Sequence, residues 1–231
     1  ARACAARGVP IRIGANSGSV EKEILARFGG PTPEALVESG LYHVRLLENC
    51  DFNQIVVSLK SSDVRTMVAA YRMLAACCPY PLHLGVTEAG TERMGLIKSA
   101  AGIGSLLLDG IGETIRVSLT ADPVREVYAA RDILKGLGYP TGTPNLVSCP
   151  TCGRTRIDLI PLVNEVEQRL QSVHKDITVA CMGCVVNGPG EARDADIGVA
   201  GGNGCGVLFK KGQILRTVPE ADIVSELMKE I

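Results

Sequence analysis

The sequence has no tryptophan, only 3% aromatic residues and almost no net charge. A formal charge of −1 argues against a nucleic-acid surface or an anionic membrane partner, so an anion site would have to be a local cluster of Arg and Lys. The longest apolar run, residues 100–108, is far shorter than the roughly 20 residues that cross a bilayer, and Asp109 follows it. We therefore expect no nucleic-acid partner and no membrane span.

The chain also lacks an initiator methionine and a signal-peptide pattern, and residues 1–8 have the character of a helix end. These features predict that the chain begins inside a domain, so targeting information would be missing. The nine cysteines are odd in number and cluster in the last third, which favours metal ligation in a reducing compartment over a disulfide framework. We expect a soluble, cytoplasmic globular protein, with a plastid location still open because of the missing start.

Short β-rich runs recur in the first 120 residues, and a helical pattern follows each of them. This alternation is typical of parallel βα units. The predicted strands are residues 9–13, 54–59, 81–86 and 114–119. Two of the predicted helices have an apolar stripe, the second looser than the first. The stripes are Val64, Met67, Val68, Tyr71 and Leu74, and then Val124, Val127, Tyr128 and Leu134.

A Gly-, Pro- and Thr-rich segment at residues 138–145 predicts a linker between two domains, 1–140 and 146–231. In the second domain we expect strands at 177–180, 197–199 and 206–209, and a closing helix that starts at Pro219. The apolar helix faces there are Ile160, Val163, Val166 and Leu170, and then Ile223, Val224, Leu227, Met228 and Ile231. The pattern predicts a small α+β domain around cysteine-bearing turns.

Two Cys-x-x-Cys steps, Cys149/Cys152 and Cys181/Cys184, precede a glycine-rich turn at residues 187–190 and a carboxylate, Glu191. Thiolates spaced in this way converge on one ion or cluster. The spacing alone favours a zinc site with four cysteine ligands. An iron-sulfur cluster is the second interpretation, and unligated core cysteines are the third.

Strand geometry distinguishes the last two thiols. In a strand, Cys181 and Cys184 would point to opposite faces, so one is expected to ligate and the other to pack. Cys184 leads into the glycine-rich turn, where the backbone can approach a cluster closely, and is the predicted ligand. A site with three thiolates needs a fourth donor, which Glu191 can supply; the alternative is that Glu191 is a solvated surface residue.

Polar side chains lie at the predicted strand ends, where parallel βα proteins gather their ligands. Three cations near a carboxylate would suit a phosphorylated substrate, with Glu88 as an acid or base. The alternative is that each charge merely faces water. The residues are Arg12, Asn16, Lys60, Thr87, Glu88, Arg116 and Ser118. The three histidines lack metal-ligand spacing, and His83, on a predicted strand, is assigned a core or surface role.

The motifs at residues 11–19, 83–90, 116–119, 148–152 and 183–191 resemble those of the 4-hydroxy-3-methylbut-2-enyl diphosphate synthase family. The resemblance covers essentially the whole chain. It implies reductive dehydroxylation and ring opening of 2-C-methyl-D-erythritol 2,4-cyclodiphosphate, in the non-mevalonate route to isoprenoids, by a [4Fe-4S] enzyme. It also replaces zinc as the favoured metal.

By match to the family motifs, the cluster ligands are Cys149, Cys152, Cys184 and Glu191. The substrate-binding residues implied in the same way are Arg12, Asn16, Lys60, Arg116, Ser118 and Asn187. Glu88 would assist proton transfer, and Glu191 would be the exchangeable ligand of the unique iron. An external electron carrier, ferredoxin or flavodoxin, is implied as well, since no flavin or nicotinamide motif is present.

The fold implied is the second half of a TIM-like (β/α)8 barrel followed by a small α+β iron-sulfur domain, in a protein that is a homodimer at full length. The chain departs from the family pattern in showing only four βα units and in carrying an additional thiol, Cys181, beside the cluster motif. The competing class is a zinc-stabilised binding or scaffold module, in which the cysteines only hold the fold.

Overall fold

The computed structural model describes residues 1–186, 190 and 192–231, and the chain forms two compact units, Ala1–Leu137 and Gly138–Ile231. In the first unit, helices alternate with parallel strands. Its elements are α1 (Arg2–Ala5), β1 (Ile11–Asn16), α2 (Lys22–Phe28), α3 (Pro33–Glu48), β2 (Ile55–Lys60), α4 (Val64–Ala75), β3 (His83–Leu84), α5 (Glu92–Leu108), β4 (Thr114–Ile115) and α6 (Pro123–Gly136). The mixed α/β class expected from the sequence is confirmed.

The strands of this unit pair in sequence order. β1 pairs with β2 and β3 with β4, all parallel, and a single parallel bridge between Val57 and Leu82 connects the two pairs. Alternate strand residues such as Val57, Leu59 and Leu84 are buried in the core that the helices cover. The opposite face therefore carries the residues between them, which include the polar ones.

The predicted strands at 81–86 and 114–119 are longer than the observed β3 and β4, which have two residues each. The ladder ends at Gly85, where a Cβ atom would lie 2.7 Å from the carbonyl oxygen of Arg116 and 3.1 Å from Cε of Lys60. The Lys60 side chain therefore lies close to the Gly85 backbone, and one further backbone hydrogen bond, from the Arg116 amide to the Leu84 carbonyl, follows the two assigned pairs. Predicted strands at 9–13 and 54–59 correspond to β1 and β2, each shifted towards its carboxyl end.

The stripe predicted for α4 is confirmed: Met67, Val68, Tyr71 and Leu74 are buried. The stripe predicted for α6 is wrong. Val124, Val127 and Tyr128 are more than half exposed, and α6 packs instead through Ala129 and Ile133. The core-facing side of α6 contains the small Ala129, which allows the helix to approach the core closely. The prediction from periodicity favoured the larger apolar side chains instead.

The Tyr71 side chain connects β2 and β3, which lack a regular ladder of backbone hydrogen bonds. Its buried hydroxyl accepts from the Leu59 amide at 3.0 Å and donates to the His83 carbonyl, and Ser58 Oγ lies 3.4 Å away. Burial raises the pKa of Tyr71 to about 12, so the hydroxyl keeps the proton that it donates. One side chain thus satisfies backbone groups on two strands that share a single bridge.

Tyr71→Phe is expected to lower the free energy of unfolding of the first unit by about 1–3 kcal/mol, because it leaves a buried amide and a buried carbonyl unpaired. The rate of amide hydrogen exchange at Leu59 should rise by the factor that corresponds to this loss of free energy. Tyr128→Phe on the exposed side of α6 is the matched control and should change neither quantity. Urea unfolding with hydrogen exchange measures both; equal stability of the two variants would contradict the bridging role.

The described part of the second unit contains a five-stranded sheet and the helices Leu159–Leu170 and Ile223–Lys229. Strands β5, β6 and β7 are parallel, and β8 and β9 extend the sheet antiparallel. Its elements are β5 (Asn145–Ser148), α7 (Leu159–Leu170), β6 (Thr178–Met182), β7 (Ile197–Gly201), β8 (Cys205–Lys210), β9 (Gln213–Pro219), a 3-10 turn (Glu220–Asp222) and α8 (Ile223–Lys229). Val166, Val179, Leu208 and Leu227 lie in its core.

Two expectations for this unit are wrong. Pro219 ends β9, a strand that the sequence did not predict, and the closing helix begins at Ile223. Ile160, assigned to the apolar face of α7, is 62% exposed, and Leu159 and Leu162 are buried in its place. The other residues of the predicted face, Val163, Val166 and Leu170, are buried or partly buried, so only its first position is wrong.

Among the described residues, no helix combines the length and apolar character needed to span a membrane.

Candidate functional site

One face of the strands in the first unit carries a cluster of cations. Asn16 pairs with Lys60 across β1 and β2, and Arg12 lies four positions before Asn16 along β1, so all three residues lie on the same face. His83 pairs with Thr114, which puts both on one face, and Arg116 follows Thr114 by two positions. Arg12, Lys60 and Arg116, which we call the cationic face, are thus brought together from three strands.

The electrostatics of Lys60 show how close these charges are. Partial burial, together with the neighbouring Arg116 and Arg12 guanidinium groups, lowers the pKa of Lys60 to about 8. Gly85 makes room for this side chain, since a Cβ atom there would lie 3.2 Å from Nζ. Like charges held together in a folded protein without matching carboxylates are stabilised by a bound anion.

His83 is the residue that the sequence analysis missed. It is 5% exposed, its Nε2 lies 3.0 Å from Nη1 of Arg12, and its Nδ1 lies 2.8 Å from Oγ1 of Thr114. Burial, followed by the charges of Lys60, Arg12 and Arg116, lowers the pKa of His83 to about 4. The only feature of the sequence that could have identified His83 as a site residue was its place on a predicted strand near the cations.

One carboxylate approaches the cationic face. Oε1 of Glu126, on α6, lies 3.6 Å from Nη2 of Arg116 and accepts from the Leu119 amide at 2.9 Å. This ion pair ties α6 to the strand-end loop and orients Arg116. Glu126 is a second residue that sequence reasoning did not identify, because nothing in its spacing separates it from a surface carboxylate.

The remaining predicted residues of this unit lie at the strand ends. The Asn16 side-chain oxygen accepts from the Gly18 amide at 2.9 Å, and the buried Ser118 hydroxyl has no hydrogen-bond partner in the described part of the chain. Glu88 is exposed and has a φ of 51°, a left-handed conformation that costs a non-glycine residue about 1 kcal/mol or more. Strain of this kind concentrates at functional loops.

Three cysteines of the second unit, Cys149, Cys152 and Cys184, follow the carboxyl ends of β5 and β6. Ser148 pairs with Cys181, so Cys149, directly after β5, lies beside the end of β6. The Gly183 amide donates to Cys149 Sγ at 3.1 Å, and the Gly183 carbonyl accepts from the Arg156 amide at 2.9 Å. The loop that carries Cys149 and Cys152 is therefore tied to the segment that carries Cys184.

Only glycine fits at position 183, between β6 and Cys184, because the surrounding atoms leave no room for a side chain. A Cβ atom on Gly183 would lie 3.1 Å from Thr155 and 3.2 Å from Leu159, and one on Gly201 would lie 2.9 Å from the Gly183 carbonyl. The Cys152 amide donates to Thr155 Oγ1 at 3.0 Å, which closes the loop in a tight turn. The packing fixes the path of the backbone between the thiols.

The thiols differ in their surroundings. Cys152 is exposed, Cys149 is half-buried and Cys184 is 9% exposed, beyond the end of β6. Cys181 lies within β6, fully buried, and burial raises its pKa to about 12. A hydrogen bond from the Arg154 amide lowers the pKa of Cys152, which favours the thiolate that binds metals.

Within residues 1–186, 190 and 192–231, no three His, Cys, Asp or Glu side chains form a group that could hold one metal ion. The predicted ligand Glu191 and the predicted substrate residue Asn187 lie outside the described residues. The chemistry of the donor set nevertheless fits an iron-sulfur group: the predicted thiol ligands follow the carboxyl ends of two adjacent strands, β5 and β6, and the Gly183 amide donates to Cys149 Sγ.

These features define an α/β protein of the parallel βα class with a separate cysteine-bearing unit. Comparison with protein-family models gives two matches: the GcpE TIM-barrel domain over residues 1–131 and the GcpE protein C-terminal domain over residues 145–231. The chain belongs to the GcpE family.

Several curated relatives carry the name 4-hydroxy-3-methylbut-2-en-1-yl diphosphate synthase (flavodoxin). The chain is 60% identical over 230 residues to the protein of that name from Clostridium perfringens, covering 100% of this chain and 66% of the relative. It is 58% identical over 231 residues to that of Clostridium acetobutylicum, covering 100% and 66%, and 60% identical over 225 residues to that of Geobacter sulfurreducens, covering 97% and 64%. The chain thus spans somewhat less than two thirds of the length of these relatives.

Proposed function

We propose that this chain is the substrate-face and cluster-bearing part of a 4-hydroxy-3-methylbut-2-en-1-yl diphosphate synthase. The reaction is the reductive dehydroxylation and ring opening of 2-C-methyl-D-erythritol 2,4-cyclodiphosphate to 4-hydroxy-3-methylbut-2-enyl diphosphate, in the non-mevalonate isoprenoid pathway. The observation that carries the proposal is the convergence of Arg12, Lys60 and Arg116 on one strand face. The identity to synthases over the whole chain supports it.

The cationic face would bind the cyclic diphosphate. Arg12, Lys60 and Arg116 neutralise phosphate oxygens and balance the charge that grows on the freed phosphate as the ring opens. Asn16 and Ser118 contribute neutral donors, and Ser118 has a hydroxyl still without a partner in the described residues. Asn187 is a further substrate-binding residue in this proposal, and Glu88, on its strained loop, moves the proton that accompanies loss of the hydroxyl.

Cys149, Cys152, Cys184 and Glu191 would hold a [4Fe-4S] cluster, which supplies one-electron transfers and a Lewis-acidic iron when bound. Glu191 is proposed as the ligand that yields to a substrate oxygen. The buried position of Cys181 in β6 supports its exclusion from the ligand set. The relatives' name points to flavodoxin as the electron donor, with ferredoxin as the alternative carrier.

The fold proposed for the intact protein is a TIM-like barrel, of which residues 1–140 form the second half, joined to the small iron-sulfur domain at 146–231. A homodimer is proposed at full length, in the cytoplasm or in a plastid. In this arrangement the chain alone would lack part of the substrate surface. Its reconstituted form is then expected to turn over negligibly.

Metal analysis of the anaerobically purified chain tests the proposal. We expect about four iron and four sulfide per chain, with a broad absorbance typical of an iron-sulfur cluster. About one zinc and no sulfide would instead support the zinc-stabilised binding module that the cysteine spacing also allows. Turnover of the cyclodiphosphate by the full-length protein with reduced flavodoxin is the second measurement, and an inactive protein with an intact cluster would overturn the assigned reaction.

A further inference from the structure

His83 lies at the centre of the cationic face without being a cation itself. A guanidinium group can only donate hydrogen bonds, so the contact of 3.0 Å between Arg12 Nη1 and His83 Nε2 requires that Nε2 accepts. The ring proton must then be on Nδ1, which donates to Oγ1 of Thr114 at 2.8 Å. The two contacts together define one tautomer of an uncharged imidazole.

We propose that His83 is a positioning residue that holds the Arg12 guanidinium on the cationic face by accepting its hydrogen bond as the neutral Nδ1–H tautomer. The proposal deepens the proposed function and rests on it for the identity of the anion. Thr114, on β4, fixes the tautomer, and His83, on β3, transmits this to Arg12 on β1. Residues from three strands, β1, β3 and β4, thus set the orientation of one phosphate-binding group.

The groups around His83 explain why it stays neutral. Arg12 faces it from β1, Lys60 from β2 and Arg116 from β4, and the Tyr71 hydroxyl on α4 donates to its backbone carbonyl. A protonated imidazole would add a fourth positive charge and would lose the acceptor that Arg12 needs. Burial and these charges favour the neutral ring, with a pKa of about 4.

The neutral ring also serves anion binding. An Arg side chain that is free to rotate loses conformational entropy when a ligand fixes it, and this loss weakens binding. His83 removes part of that loss, since Arg12 is already oriented before the anion arrives. Truncating His83 should therefore weaken anion binding even though His83 does not need to contact the anion.

The experiment combines ring nitrogen-15 NMR with titration by inorganic pyrophosphate. In the unsubstituted chain, His83 should show a protonated Nδ1 and an unprotonated Nε2 at every pH from 7 to 5, a range in which an ordinary imidazole takes up its proton. At pH 7, His83→Phe should bind pyrophosphate about tenfold more weakly. His83→Gln, whose amide oxygen can still accept from Arg12, should stay within about threefold of the unsubstituted chain, as should the surface control His174→Gln.

A proton on Nε2, titration of His83 near pH 6.5, or unchanged affinity in His83→Phe would each overturn the proposal. If His83→Phe does not fold, the NMR result on the unsubstituted chain still decides it. The outcome is separable from that of the proposed function: a chain that contains zinc, or a full-length protein without synthase activity, would leave the tautomer and the pyrophosphate affinity as they are.

Discussion

Cys184→Ser is expected to reduce the iron and sulfide bound after anaerobic reconstitution to below about one tenth of the value for the unsubstituted chain, because a serine hydroxyl at neutral pH does not replace a thiolate ligand. Cys184 follows the end of β6 and lies beside the loop that the Gly183 amide ties to Cys149. Losing one of three thiolates should prevent assembly and not merely weaken it.

Cys181 provides the matched comparison, since it is only three residues away and is also buried. Its side chain is part of the second-unit core within β6, so Cys181→Ala should retain most of the iron, and Cys181→Ser should do so with some loss of stability from the buried hydroxyl. Iron and sulfide per folded chain, with the cluster absorbance, measure the difference. Equal loss in the Cys184 and Cys181 variants would show that the ligand assignment is wrong.

Pyrophosphate affinity is expected to fall as the pH rises through 8, by up to about tenfold per pH unit, because Lys60 loses its proton in that range. The pKa of Lys60 in the folded chain is lowered, so the group is charged below pH 8 and neutral well above it, whereas an ordinary lysine stays charged to about 10.4. A bound anion favours the charged form, and affinity is therefore lost in the direction of high pH.

Lys60→Arg is the matched variant for this measurement. A guanidinium group keeps its charge at every pH used, so the fall above pH 8 should shrink to whatever pyrophosphate itself contributes by its own titration. Lys60→Met should weaken binding at pH 7 by roughly tenfold to a hundredfold, in line with loss of one charge-assisted contact of about 1.5–3 kcal/mol. An identical pH profile for the unsubstituted chain and Lys60→Arg would remove Lys60 from the anion site.

The parallel βα order and the cationic face could be predicted from sequence, because both follow from local patterns. Alternating apolar residues such as Val57 and Leu59 face the helices, which puts Lys60 on the other side of the sheet. The orientation of α6 could not be predicted, since Val124 and Val127 are as apolar as core residues and only tertiary packing shows that Ala129 and Ile133 face inward.

The missed parts of the site depend on contacts that are distant in sequence. His83 is 71 residues from Arg12 and 31 from Thr114, and no spacing rule connects them. Tyr71 had the spacing of an apolar core residue, and its hydroxyl gained a structural role only because β2 and β3 do not pair regularly. The ligand assignments for Glu191 and Asn187 stay predictions, as they lie outside the described residues.

The cationic face has a practical consequence for handling the protein. Arg12, Lys60 and Arg116 repel one another when no anion is bound. At the proposed anion site, sulfate or phosphate ions from a purification buffer would therefore compete with the substrate and stabilise the folded chain, by a free energy that grows with the logarithm of their concentration once the site is mostly occupied. Melting temperatures measured in phosphate and in an organic zwitterionic buffer are then values for two different ligation states. Affinities measured after a phosphate column report displacement of a resident ion, and they will underestimate the intrinsic strength of the site until that ion is removed by exhaustive dialysis.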